Sequence, residues 1–143
     1  MIQANELMVG NKAYFNGNVI TIQQILSDSV IAYMIADMPD DEYSFSEINP
    51  IPLSPEILEK CGFEKYQWQD AYFIKTVFGD LYIHFYQNII ITRMVKVSED
   101  NKGHKMVALP FVGNVKSVEN IIHLHHLQNW YYFNTLEELP YTP

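Results

Sequence analysis

The chain has 143 residues, about the length of one domain, and its 48% hydrophobic and 18% charged content is typical of a globular protein. This composition excludes extensive disorder. The formal net charge is −8 and Arg93 is the single arginine. Because proteins that recognise phosphate or guanine rely heavily on arginine, we expect no direct binding to nucleic acid.

The charge is distributed unevenly along the chain. Residues 1–59 hold nine acidic residues and one basic residue, whereas residues 60–143 hold eight of each. Solvated faces account for such an asymmetry in most proteins, but it can also steer a partner or a second copy of the chain.

The cysteine count and the hydropathy pattern indicate the compartment. Cys61 is the only cysteine, so no internal disulfide can form, which fits a reducing environment. The first residues show no basic region followed by an apolar stretch, and the longest apolar run, residues 30–36, is too short to span a membrane. We expect a soluble, cytoplasmic protein that does not contact membranes.

The first 35 residues predict a three-stranded meander. Asn16-Gly17 separates two β-rich runs at residues 12–15 and 18–25, and this dipeptide is the strongest short signal for a type I′ hairpin. Residues 27–29 form a second turn before a third strand at residues 30–35. Such a meander can belong to a small SH3-like barrel. An acidic loop and a proline-containing connector follow it.

The next signal is a short helix. Ser54 is placed to cap it, Pro55 occupies its first position, and Gly62 ends it in a left-handed conformation. Cys61 lies at the carboxyl end of this helix, where the dipole opposes thiolate formation. We therefore expect Cys61 to be a buried structural residue and not a nucleophile.

The rest of the chain predicts a second β unit and a final helix. Branched and aromatic residues indicate strands at 71–78, 81–85, 89–97 and 106–112, with Gly79-Asp80 as a tight hairpin and residues 98–105 as a polar loop. Apolar spacing predicts a helix from about residue 120 to residue 134, although residues 118–124 can equally end as a strand.

These elements predict an α+β fold of mostly antiparallel strands. An N-terminal meander, which can belong to an SH3-like barrel, and a second β unit are accompanied by a short central helix and a C-terminal helix. We expect a single domain over residues 1–143. Its parts are the meander and acidic connector (1–49), a proline-rich lead-in and short helix (50–63), the second β unit (64–116), and the C-terminal helix and tail (117–143).

Three segments carry a resemblance to a known family. Residues 5–11 read Asn-Glu-Leu-x-x-Gly-Asn, residues 51–63 read Ile-Pro-Leu-Ser-x-Glu-Ile-Leu-x-Lys-Cys-Gly-Phe, and residues 125–131 read His-x-Leu-Gln-Asn-x-Tyr before a Glu-Glu-Leu. The chain thus resembles a family of uncharacterised small proteins of bacteria and their phages or mobile elements. It departs from that family at residues 134–136, where Asn-Thr-Leu replaces a common Leu-Thr-Gly. The resemblance implies one intact domain and a phage or mobile-element setting, and it assigns no activity.

His123, His125 and His126 form an H-x-H-H cluster. On a helix His123 and His126 share a face, and Asn129 or Glu119 can add a further metal ligand. The alternative is a polar helix face with one histidine hydrogen-bonded into the core. We prefer that alternative and assign no metal and no cofactor.

The last helix holds the candidate binding residues, which are polar or aromatic and adjacent to packing positions: His125, Gln128, Asn129, Trp130 and Tyr131. They form either a recognition surface or a set of hydrogen bonds that anchors the helix to the neighbouring connector. Residues 130–133 are all aromatic, and consecutive helical residues lie about 100° apart, so at least one of them must be exposed.

No catalytic motif is present, since the chain lacks a G-x-S-x-G, a P-loop and a G-x-G-x-x-G segment. We therefore predict a non-enzymatic phage or mobile-element protein that binds a protein partner or a second copy of itself. One alternative is a small enzyme or ligand-binding domain that uses His125, His84 and nearby carboxylates. A further alternative is an acidic DNA mimic, with the carboxylates of residues 28–59 spaced like phosphates.

Overall fold

A computed structural model describes residues 2–35, 37–65, 71–76, 79–86, 88–100, 103–109 and 123–143. It confirms the α+β fold, with mostly antiparallel strands and a C-terminal helix. The chain divides into two compact units. The first comprises Met1–Ser54, Ile122–Leu139 and Pro143, and the second comprises Pro55–Ile121 and Pro140–Thr142.

The first unit contains a five-stranded antiparallel sheet in the order β4-β3-β2-β1-β5. Its elements are a 3-10 turn at Ala4–Glu6 and strands β1 (Lys12–Phe15), β2 (Asn18–Ile25), β3 (Ser29–Tyr33), β4 (Asp41–Ser44) and β5 (Ile48–Asn49). The predicted meander is therefore present, and it is extended by β4 and by β5, which pairs with β1. This pairing places the last strand of this sheet beside its first, and the SH3-like alternative stays a prediction.

Local sequence explains the turn and the core of this sheet. Asn16 and Gly17 both have positive φ, 47° and 78°, as a type I′ hairpin requires. Apolar side chains of the strands and of the 3-10 turn region pack into one buried cluster, whose members are Ile2, Leu7, Ala13, Ile20, Ile22, Val30, Ala32, Tyr43 and Ile48.

The C-terminal helix, α2 (Leu124–Thr135), also belongs to the first unit. It begins at Leu124 and not near residue 120, because His123 is extended and pairs with Pro52. The Leu124 N–H donates to the Ile51 carbonyl over 2.8 Å. This contact between distant segments fixes where the helix starts, and residues 110–122 lie outside the described part of the chain.

The helix ends at Leu136, which has φ 59° in the left-handed region. Its N–H donates to the Tyr132 carbonyl over 2.7 Å, and the Thr135 hydroxyl donates to the Tyr131 carbonyl. Glycine is the usual residue at such a position because it has no Cβ to clash. A leucine ends this helix instead.

The second unit contains helix α1 (Pro55–Lys60) and a five-stranded antiparallel sheet in the order β10-β9-β8-β7-β6. The strands are β6 (Glu64–Lys65), β7 (Ala71–Thr76), β8 (Gly79–Tyr86), β9 (Asn88–Asp100) and β10 (Gly103–Leu109). As predicted, Gly62 has φ 82°, and the Phe63 N–H donates to the Leu58 carbonyl in a Schellman-type helix end.

Two predictions about this sheet were wrong. Gly79 and Asp80 belong to β8, where they pair with Thr76 and Lys75, so they do not form the turn themselves. Residues 98–100 and 103–105 continue β9 and β10 where a polar loop was expected, and Asp100 pairs with Gly103. Backbone pairing can continue through polar residues, so composition alone placed the loop too early.

Candidate functional site

The start of α2 meets two other segments of the first unit, the 3-10 turn with residues 6–12 and the connector at Ile51–Pro52. The start of α2 and the turn at residues 6–12 are far apart in the sequence, since 118 residues separate Asn11 from Asn129. Hydrogen bonds from two side chains of α2 join the helix to the first of these segments.

Gln128 supports the turn that leads into β1. Its Oε1 accepts a hydrogen bond from the Lys12 N–H over 2.9 Å, and its Nε2 donates to the Gly10 carbonyl over 3.4 Å. Gly10 has φ 91°, a conformation that favours glycine. Because Gln128 is buried, these bonds satisfy an amide that water cannot reach.

Asn129 holds the residues just before this turn. Its Nδ2 donates to the Glu6 carbonyl over 2.8 Å, and its Oδ1 accepts from Asn11 Nδ2 over 2.9 Å. Asn11 in turn accepts a hydrogen bond from the Met8 N–H through its Oδ1 over 2.8 Å. Gln128 and Asn129 together therefore clamp residues 6–12 to α2, and we call these two residues the amide clamp.

The five residues predicted to bind a partner lie in this buried region. Four of them are buried, namely His125, Gln128, Trp130 and Tyr131, and Asn129 is half-buried. Burial raises the pKa of Tyr131. The sequence left open whether the polar members form a recognition surface or anchor the helix through hydrogen bonds. The observed hydrogen bonds of Gln128 and Asn129 anchor the helix, although they reach residues 6–12 and not the connector. Binding by these five residues stays a prediction.

The exposed large hydrophobic residues lie at the carboxyl end of α2 and directly after it. Tyr132 is 38% exposed, Phe133 72% and Leu136 76%, and we call these three residues the α2 patch. The Tyr132 and Phe133 rings meet edge to face with centroids 6.3 Å apart. The prediction that at least one aromatic of residues 130–133 is exposed is confirmed. Helical spacing was the signal that identified the aromatic members.

The three histidines at the start of α2 lie together, and we call them the histidine cluster. His125 is 1% exposed and stacks against its neighbours, with its ring centroid 4.1 Å from that of His126. One ring nitrogen from each of His123, His125 and His126 lies within 4.8 Å of the others. Within the described residues, both His125 ring nitrogens and His126 Nδ1 are buried without a hydrogen-bond partner.

A carboxylate faces this cluster. Glu6 Oε2 lies 4.0 Å from His125 Nε2, and the same oxygen accepts a hydrogen bond from the Gln3 N–H over 3.2 Å. The sequence interpretation of one histidine hydrogen-bonded into the core does not match this arrangement, because His125 is buried but unpartnered. Glu6 was not among the predicted ligands, since its approach depends on the fold.

The electrostatics of the cluster favour neutral imidazoles. Burial, reinforced by the neighbouring His126 and His123 side chains, lowers the pKa of His125 to about 3. Burial also lowers the pKa of His123, and His126 adds to this effect. The cluster lies at the positive end of the helix dipole, which further disfavours imidazolium. At neutral pH the rings of His123 and His125 therefore each keep one nitrogen lone pair.

The remaining predicted residues lie elsewhere. Cys61 is buried in the second unit, as predicted, and burial raises the pKa of its thiol to about 12. His84 is in β8, and its side chain lies outside the described part of the structure. Among the described residues, no helix has the length and apolar character needed to cross a membrane.

The first unit thus offers two features with functional potential, the α2 patch and the histidine cluster beside Glu6. The patch is a surface that can pack against another protein, and the cluster is a set of nitrogen and oxygen donors. Both depend on α2, and the amide clamp fixes that helix against residues 6–12. No protein-family model, no curated protein and no solved structure matches this chain.

Proposed function

We propose that this chain is a non-enzymatic binding module that contacts a protein partner through the α2 patch. The observation that carries this proposal is the exposure of three large side chains at the carboxyl end of α2. The Tyr132 and Phe133 rings contact each other edge to face, and Leu136 is the left-handed residue that directly follows the helix. Exposed hydrophobic residues that adjoin one another, with polar residues around them, are typical of interaction sites.

The conformation of Leu136 supports a role beyond packing. A backbone φ of 59° is sterically unfavourable for leucine. Because the Leu136 side chain is mostly exposed, it gains little from burial that could offset this cost. A residue that breaks a local rule without a structural gain is a sign of function.

Charge indicates the chemistry of the partner. The first unit holds nine acidic residues and a single basic residue, Lys12, when histidines are taken as neutral. Glu137 and Glu138, both exposed, directly follow the α2 patch. Complementarity therefore favours a partner with an apolar groove and a basic rim, and it disfavours a second copy of the same unit.

The biological setting is part of the proposal. The three sequence segments that resemble small bacterial and phage proteins support a phage or mobile-element origin. The lone cysteine supports a cytoplasmic location. In this setting the partner is a protein of the bacterial cell or of the element itself.

Site-specific photo-crosslinking tests the proposal. p-Benzoylphenylalanine placed at position 133 of the full chain should crosslink one basic protein in cells of the source organism. The same probe at position 24, an exposed residue of β2, is the control and should not capture that protein.

Competition identifies the surface. Excess unlabelled chain should abolish the crosslink, and the doubly substituted chain Tyr132→Ser/Phe133→Ser should compete at least about tenfold less well, because hot-spot aromatics account for most of such affinities. Equal capture from positions 24 and 133 would contradict the proposal. A crosslink to a second copy of the chain would replace the basic partner with self-association, which light scattering would then show as a dimer.

A further inference from the structure

We propose that His123, His125, His126 and Glu6 form a binding site for a divalent transition metal of the zinc class. The ligand nitrogens of the three histidines lie within 4.8 Å of one another, and a Glu6 carboxylate oxygen lies 4.0 Å from His125 Nε2. Imidazole and carboxylate are donors that zinc, cobalt and nickel accept. This inference is independent of the α2 patch, which involves other residues.

The distances are compatible with coordination after small movements. Zinc–nitrogen bonds of about 2.0–2.1 Å in a tetrahedron place the ligand nitrogens about 3.4 Å apart. The widest separation in the cluster therefore has to shorten by roughly 1.4 Å, which side-chain rotation can supply. His123 and His126 are only half-buried, so they have room to rotate around the fixed ring of His125.

The unpartnered nitrogens of His125 indicate a ligand. This side chain is 1% exposed, and neither ring nitrogen has a hydrogen-bond partner. Buried polar atoms in folded proteins are nearly always paired, because an unpaired one loses its hydration without compensation. Metal coordination by one nitrogen would compensate that loss.

Glu6 supplies the charge that the site needs. The amino end of α2 repels a bare dication, and the carboxylate of Glu6 opposes this repulsion. The Gln3 N–H holds Glu6 in place over 3.2 Å. The side chain of Glu6 is 38% exposed, so solvent can reach the site from this direction.

The donor set assigns the site a structural role. Three imidazoles and one carboxylate fill a tetrahedral zinc shell and leave no position for a substrate, as in other structural zinc sites. The metal would join Glu6 to the start of α2. It would therefore reinforce the same contact that the amide clamp makes through Gln128 and Asn129.

Titration of the untagged full chain tests the site. Co²⁺ should produce the intense visible absorption of tetrahedral coordination and saturate at one ion per chain, and Zn²⁺ should displace it. Calorimetry with Zn²⁺ should give a dissociation constant below about 10 μM. This limit is set high on purpose, because structural zinc sites usually bind more tightly. No absorption change at a large excess of Co²⁺, with circular dichroism showing a folded chain, would overturn the proposal.

Matched variants identify the ligands. His126→Asn and Glu6→Gln should each weaken Zn²⁺ binding at least about tenfold, whereas His104→Asn, which changes a histidine of the second unit, should leave binding unchanged. These positions are chosen because replacing the buried His125 can disturb folding. Unchanged affinity in both cluster variants, or loss of binding in His104→Asn, would overturn the assignment.

Discussion

At Leu136 the backbone of α2 stops in a conformation that leucine disfavours. Leu136→Gly should raise the free energy of unfolding by about 1 kcal/mol, because the steric cost of φ 59° disappears and the 76% exposed side chain contributes little burial. Urea denaturation followed by circular dichroism measures the change. Leu136→Ala keeps the Cβ and should show no gain. A glycine variant that is no more stable than the alanine variant would show that no strain is stored there.

The same substitution separates stability from binding. Leu136→Gly removes a member of the α2 patch. The glycine variant should therefore compete less well than the native chain in the crosslinking experiment, although it is more stable. This opposition is expected when a residue is retained for recognition at the expense of the fold. The left-handed conformation observed at Leu136 is the one that a glycine would serve.

Cys61 should make the free energy of unfolding depend on pH in the alkaline range. Its pKa is raised by burial from 9.0 to about 12, so the folded state keeps the thiol protonated after the unfolded state has lost the proton. The resulting stabilisation is fully present below pH 9 and is lost as the pH rises from 9 towards 12. At pH 10 the lost contribution is about 1.4 kcal/mol.

Urea denaturation at several pH values measures this contribution. Tyr43 and Tyr131 also have raised pKa values, so the test is the difference between the native chain and Cys61→Ala, which shares those tyrosines. The native chain should lose stability more steeply above pH 9. Parallel pH profiles for the two proteins would refute the role of the thiol.

At the scale of elements, the amide clamp determines how α2 attaches to the sheet. Asn129→Ala should lower the free energy of unfolding by about 1–3 kcal/mol, because the Glu6 carbonyl and the Asn11 amide then lose their partner. The exposed Asn18→Ala serves as the control and should cost less than about 0.5 kcal/mol.

A double-mutant cycle isolates the contact itself. Asn11→Ala and Asn129→Ala share the 2.9 Å hydrogen bond between their side chains, so the double variant should be less destabilised than the sum of the single variants by about 0.5–3 kcal/mol. Strict additivity would mean that this hydrogen bond contributes nothing to the attachment of α2.

The elements that were predictable from the sequence are those with local causes. Asn16-Gly17 needs only its own backbone to form the first hairpin, and Gly62 ends α1 through a bond between Phe63 and Leu58. The start of α2 depends instead on pairing with residues 51–52, which periodicity cannot reveal. Likewise the H-x-H-H pattern was visible, but the burial of His125 and the approach of Glu6 follow only from the fold.

At the scale of the whole molecule, the structure refines the charge asymmetry of the sequence. The first unit carries nine acidic residues and one lysine, whereas the second carries eight acidic and eight basic residues. In the sequence, the acidic excess ends at residue 59. In the structure, the first segment of the acidic unit ends close by, at Ser54, and this unit also includes Ile122–Leu139. The first unit includes the exposed Glu137 and Glu138, which directly follow the α2 patch in the chain, so acidic residues adjoin the surface proposed for binding.

The electrostatic field of the acidic first unit should govern the rate at which the chain associates with a basic partner. Attraction between unlike charges accelerates encounter and is screened by salt, with a Debye length of about 10 Å at 0.1 M. The yield of the position-133 crosslink at short irradiation times should fall several-fold between about 0.05 M and about 0.5 M NaCl. Asp37→Lys/Asp40→Lys, at two exposed positions of the first unit, should reduce the low-salt yield and flatten its salt dependence.

The matched control reverses the same number of charges in the other unit. Glu59→Lys/Glu64→Lys changes two exposed acidic residues of the second unit, and we expect a smaller effect because the acidic excess does not reside there. Equal losses from the two double variants would mean that net charge alone sets the rate and that its position is irrelevant. A crosslink yield independent of salt would instead show that the α2 patch binds its partner through apolar contacts, without electrostatic steering. That result would refute the basic partner inferred from the charge of the first unit.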